Sequence, residues 1–145
     1  MDDFIKQIAK CLVKDIETES KNWESITYLV SCVTTYQTEQ LSYNITNQLL
    51  YATTSGDDEI EGALFSTKQL HQAMYEQEPS KGAWYSMTME INKEGKFKVD
   101  FNYDDKPDFG IEIDEERYFV DFQAYPREEQ YIPQWLKDII KKYQK

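Results

Sequence analysis

Residues 83–103, AWYSMTMEINKEGKFKVDFNY, decide the fold. Ala83, Tyr85, Met87, Met89 and Ile91 alternate with Trp84, Ser86, Thr88 and Glu90. Asn92, Lys93, Glu94 and Gly95 turn the chain, after which Phe97, Val99, Phe101 and Tyr103 alternate with Lys96, Lys98, Asp100 and Asn102. Successive side chains of a strand point to opposite faces, so this pattern predicts an antiparallel hairpin with one dry face and one wet face.

Upstream, Ile26, Tyr28, Val30, Cys32, Thr34 and Tyr36 alternate with Thr27, Leu29, Ser31, Val33 and Thr35, a β-branched and aromatic run that favours a strand. Leu41, Tyr43, Ile45, Leu49 and Tyr51 keep the same period, and the polar connection Gln37 to Gln40 makes these stretches a second hairpin. Helices flank both hairpins. Phe4, Ile5, Ile8, Cys11, Leu12 and Ile16 recur at three- and four-residue steps and predict an amphipathic helix over residues 3–18. Ser66 with Gln69 has the spacing of a capping box, Phe65 and Leu70 that of a hydrophobic staple, and the stripe runs on through Ala73 and Met74 until Pro79, Ser80 and Gly82. Pro133 suits a first helical position, with Leu136, Ile139, Ile140 and Tyr143 as the last stripe and Lys137, Lys141, Lys142 and Lys145 towards the negative end of the dipole. Residues 118–122 read equally as helix or strand. The expectation is one α+β domain over residues 1–145, an antiparallel sheet of two hairpins packed on one face against N-terminal, central and C-terminal helices.

The chain has 145 residues, 30% of them charged, with 16 Lys and Arg against 27 Asp and Glu, a net charge of −11. Nucleic acid is excluded as a partner, because affinity for it comes from cations that neutralise phosphates, whereas this field attracts a basic protein. No stretch reaches the apolar length of a membrane span, and the acidic opening (Asp2, Asp3) is unlike a signal peptide, so the expected location is the cytoplasm. Cys11 and Cys32 lie far from any Cys-x-x-Cys spacing and read as small buried thiols in a reducing compartment.

Catalytic, metal and cofactor constellations do not emerge. His71 has no Ser, Cys or second His at a useful spacing and reads as a boundary side chain. Asp100, Asn102 and Asp104 imitate the start of a calcium loop, which then fails where Asp105 replaces Gly and Ile111 replaces the bidentate Glu. The five glycines are dispersed and cradle no phosphate, and Asn44-Ile45-Thr46 spells a glycosylation acceptor that only a secreted chain would use. Charge is concentrated instead in two irregular stretches: Asp57, Asp58, Glu59 and Glu61 in the first, and Asp104, Asp105, Asp108, Glu112, Asp114, Glu115 and Glu116 in the second. Both are candidate partner-binding loops. An aromatic pocket lined by Trp84, Tyr85 and Phe101, in a small-ligand-binding or enzymatic domain, is the alternative.

The pattern Trp84, Thr88, Gly95, Lys96, Phe97, Lys98, Asp100, Phe101, Tyr103, Asp104, Asp105 resembles the YezG-like family of bacterial antitoxin and immunity proteins. Tyr125-Pro126-Arg127 followed by Ile132-Pro133-Gln134-Trp135 is similar to an ending found in members from contact-dependent and polymorphic toxin systems. The resemblance covers about residues 66–140; the first helix and hairpin fit by layout. It implies binding to a cognate toxin domain, commonly a nuclease, with no cofactor and no catalysis. It transfers no binding site, because the toxin-facing residues vary within the family and the motif positions read as structural. The physical expectation is that the acidic loops cover the toxin's basic surface, since a nuclease must itself be cationic to hold phosphates.

Overall fold

The computed structural model describes residues 2–55 and 61–144. In chain order the elements are α1 (Asp2–Glu17), β1 (Ser25–Val33), β2 (Tyr36–Ile45), β3 (Gln48–Ala52), α2 (Ala63–Gln77), β4 (Ser86–Asn92), β5 (Phe97–Asn102), α3 (Glu116–Ala124) and α4 (Gln134–Tyr143). The α+β class is as expected. The five strands form one antiparallel sheet in the order β3-β2-β1-β4-β5, with β1 at its centre.

The stripe of α1 carries the first core. Ile8, Leu12 and Ile16 have no exposed surface and pack with Leu64 and Leu70 of α2 over Ile26, Tyr28, Val30, Leu41, Tyr43, Met87, Met89 and Ile91 of the sheet. Each such aliphatic side chain contributes about 1.5–3 kcal/mol on burial, an upper estimate against a compact unfolded chain. Asp15, also buried on α1, accepts hydrogen bonds from the Ser55 backbone N–H and hydroxyl, which moors the end of the β3 segment to the helix.

The sheet departs from two separate hairpins. The expected polar connection Gln37 to Gln40 lies inside β2; the chain turns earlier, at Thr34–Thr35, with Val33 opposite Tyr36. A second tight turn at Thr46–Asn47, both at positive φ (48° and 61°), splits the run 41–51 into β2 and β3. The first three strands are therefore a meander, and β1 also pairs with β4.

The helices also depart from the one-face arrangement. Val30 and Cys32 pack with the α1–α2 core, whereas Val33 joins Tyr85, Phe109, Tyr118, Leu136 and Ile139 in a second core. Neighbouring strand residues point to opposite faces, so α3 and α4 cover the other side of the sheet, at one end of it. Residues 118–122, ambiguous in sequence, are helical, with Tyr118 and Asp121 turned inward. Helix α2 begins three residues before the expected capping box: Gly62 precedes it and Ser66 is buried within it, because Ala63 and Leu64 already belong to the apolar face.

Candidate functional site

The second acidic stretch begins where β5 ends. Asn102 caps that exit: its side-chain oxygen accepts the Asp104 and Asp105 N–H groups at 3.2 and 3.0 Å, and its amide donates to the Asp105 carbonyl at 2.9 Å. Trp135 of α4 donates its indole N–H to the Asp104 carbonyl at 2.7 Å. Pro107 and Phe109 then turn inward, Phe109 edge-on to Tyr36 with ring centroids 5.2 Å apart, while Ser31 of β1 donates to the Asp108 carbonyl at 3.1 Å. The Asp108 carboxylate accepts the Gly110 N–H at 2.8 Å, and that of Asp114 accepts the Glu116 N–H at 3.0 Å at the start of α3. Lys142 of α4 pairs with Glu115 at 2.7 Å. The stretch has little regular secondary structure, yet it is fastened to β1, β2, α3 and α4 along its length.

Its carboxylates face solvent. Asp104, Asp105, Asp108, Glu112, Asp114 and Glu116 are exposed and Glu115 is half-buried. Among the described residues only Glu115 of these seven has an ion-pair partner. The one cation within the stretch, Lys106, lies over the rings of Tyr118 and Trp135, at 5.6 and 5.8 Å from their centroids. The surface therefore presents mostly unpaired negative charge on a backbone tied down by hydrogen bonds, an arrangement that attracts a cationic surface. Ile111, 65% exposed in the middle of the acids, adds an apolar side chain that sequence reading overlooked. The acidic run holds two isoleucines, Ile111 and Ile113, and no local pattern tells that Ile113 packs on the second core while Ile111 stays exposed.

Of the other acidic loop only Glu61 is described, and it does not join this surface. Asp57, Asp58 and Glu59 lie outside the described residues. Glu61 is exposed beside Lys10, Lys14 and Asp15 of α1, on the helical side of the sheet, whereas the Asp104–Glu116 stretch runs over the opposite side at Ser31 and Tyr36.

Behind the acidic surface lies a hub that sequence reading did not resolve. Arg127 is buried and donates from Nη1 to the carbonyls of Tyr103 and Tyr131 (2.7 and 3.0 Å) and from Nη2 to that of Ala83 (3.1 Å), with its guanidinium 4.8 Å from the Tyr85 ring centroid. A planar five-donor fork suits three converging carbonyls better than any other side chain. Gly82, at φ 74°, makes room for it: a Cβ there would collide with Cγ and Nε of Arg127. Tyr85, Tyr118 and Trp135 pack edge-on or tilted around this hub. Arg127 and Trp135 thus act on the architecture of the acidic stretch.

The alternative, an aromatic pocket lined by Trp84, Tyr85 and Phe101, does not gather these three side chains. Trp84 belongs to the α1–α2 core and Tyr85 to the α3–α4 core, because consecutive residues leading into β4 face opposite ways, and a shift of the alternation before Met87 puts Trp84, not Tyr85, on the face of Met87 and Phe101. Trp84 packs instead on Phe101 (5.5 Å) and edge-on to His71 (4.7 Å). His71 lies 3.1 Å from the Trp84 carbonyl, and burial pulls it down to about 4, which leaves it neutral near pH 7. Burial pushes the Cys32 thiol up, so it is protonated and unreactive. Among the described residues, no three His, Cys, Asp or Glu side chains converge to hold a metal ion, and no helix is long and apolar enough to cross a membrane.

No curated protein matches the sequence. Residues 2–133 match the family model described as Immunity protein YezG-like.

Proposed function

Because the chain belongs to the YezG-like immunity protein family, we propose that it neutralises a cognate toxin domain, a nuclease, by laying the Asp104–Glu116 surface over the toxin's basic substrate-binding cleft or its flank. The observation that carries this reading is the anchored row of carboxylates, of which the half-buried Glu115 alone is ion-paired among the described residues. A nuclease concentrates Lys and Arg to hold phosphates, and a fixed carboxylate array competes for the same cations while excluding the polyanion. Exposed charges set encounter rate and register; a desolvated apolar anchor sets residence time, and Ile111 is placed for that role. The toxin's catalytic groups and the chemistry it performs do not enter this mechanism; only its positive surface does. The cytoplasm of the producing cell is where such protection is needed. Asp57, Asp58, Glu59 and Glu61 form a second, separate acidic contact in this proposal.

The test uses the toxin domain encoded beside this chain. Replacing Asp104, Asp105, Glu112 and Glu116 by Asn or Gln removes charge where, among the described residues, these side chains make no hydrogen bond. Association should slow by about tenfold or more and lose most of its salt dependence, while Ile111→Ala should chiefly speed dissociation. Inhibition that survives all five changes at unaltered affinity would overturn the mechanism. Tight binding with the nuclease still active would instead identify an exosite contact.

A further inference from the structure

From Gln40 to Gly56 the sequence carries no Asp, Glu, Lys or Arg, in a chain of which 30% is charged. This run contains the second half of β2 and all of β3, one of the two outer strands of the sheet. The other outer strand, β5, is marked by Lys98 and Asp100, the kind of charge that discourages strand addition. Strand β3 has no such guard: Leu49, Leu50 and Tyr51 are 53, 38 and 62% exposed.

The register makes this edge self-complementary. Ile45 and Gln48 close the two-residue turn at Thr46–Asn47 and bond to each other, so Leu49 and Tyr51 turn their N–H and C=O groups away from β2. Leu49 and Tyr51 lie opposite Asn44 and Ser42, on the face of the sheet away from α1 and α2, whereas Leu50 lies opposite Tyr43 on the helical face. An antiparallel second β3 placed on a two-fold axis through Leu50 sets Leu49 against Tyr51 of the second copy, and Tyr51 against its Leu49. Both pairs are in hydrogen-bonding phase, which satisfies all four outward backbone groups. The same step covers the exposed leucines and tyrosines with one another.

We propose that β3 is a homodimer edge: two copies join through antiparallel β3 strands into one continuous ten-stranded sheet. A second copy is the occupant that this edge fits. Two chains of net charge −11 repel wherever their charged surfaces meet, and this uncharged strip is where identical copies approach without opposing carboxylates. Isologous contacts need a patch complementary to itself, which the Leu49–Tyr51 exchange supplies. The strip is short, so the dimer is a micromolar one.

Sedimentation of the full chain from about 1 to about 200 µM should show a monomer–dimer equilibrium with a midpoint in that range. Leu49→Glu/Tyr51→Glu and Leu49→Lys/Tyr51→Lys should each be monomeric, since either puts like charges face to face, and an equimolar mixture of the two should dimerise again. Wild-type hydrogen exchange gives a second readout free of substitutions: the Leu49 and Tyr51 amides should become protected as concentration rises. A wild type monomeric throughout, or a dimer that both charged variants preserve, overturns the proposal. So does a monomer whose Leu49 and Tyr51 amides are protected only when the toxin domain is added, because the edge would then receive a toxin strand.

Discussion

Trp135 Nε1 donates to the Asp104 backbone oxygen at 2.7 Å across 31 residues, so a helix of the second core holds the first residue of the acidic surface. Trp135→Phe keeps a ring against Tyr85 and Tyr118 but leaves that carbonyl without its donor. The substitution should cost about 1 kcal/mol of unfolding free energy. Because it loosens the acidic backbone, it should also weaken toxin binding by a few-fold while every carboxylate stays in place. Urea unfolding beside a binding titration checks both; unchanged affinity would show that the anchoring does not matter to recognition.

Gly82 and Arg127 form a matched pair, and disturbing either should have similar consequences. Gly82→Ala forces a side chain into a left-handed backbone and into Arg127, a buried group that cannot swing aside. Arg127→Lys replaces a fork serving three carbonyls by a single ammonium. Each should destabilise by about 2–4 kcal/mol, and the double variant by much less than the sum, since both break one packing unit. Additive losses in a thermal or urea series would refute the pairing.

Thr46 is a β-branched residue at φ 48°, a conformation in which such side chains are strained. Asn at the first position and Gly at the second are what a tight turn with both residues left-handed prefers. Thr46→Asn with Asn47→Gly should therefore stabilise by about 1 kcal/mol, seen as a rise of a few degrees in Tm. A fall in Tm would mean that the native residues make contacts outweighing the strain.

The same turn explains where the sequence was legible and where it was not. The β4–β5 hairpin and the stripes of α1 and α4 could be read because each keeps one period for several turns or strand repeats. Thr46–Asn47 carries no Gly or Pro, so Leu41 to Tyr51 read as one strand, with Leu49 and Tyr51 on the buried side. Two turn residues exchange odd for even positions, and both side chains emerge on the exposed face. The aromatic pocket failed because the neighbouring residues Trp84 and Tyr85 face different cores, and the shift of alternation before Met87 leaves Phe101 beside Trp84 rather than Tyr85. The acidic stretch was visible as composition, but its fastening depends on Ser31, Tyr36, Arg127 and Trp135, contacts made across long sequence separations that no local pattern encodes.

His71 makes stability depend on pH in a definite direction. Burial lowers it to about 4 from its usual 6.5, so between those values the unfolded chain takes up a proton that the folded chain refuses. Its contribution is complete above pH 6.5 and drains as pH falls towards 4, with a slope approaching about 1.4 kcal/mol per pH unit. Asp121 works the other way. Burial raises its carboxyl above the usual 3.8, against the two hydrogen bonds it accepts from Thr34 at 2.7 and 2.8 Å, so protonation at the acid end relieves a cost and flattens the curve there. His71→Phe keeps an aromatic ring beside Trp84 and Tyr125 while removing the titration. Between pH 6.5 and 5 the wild type should lose about 1.5 kcal/mol more than this variant in urea unfolding; parallel curves would show that His71 charges freely in the folded protein.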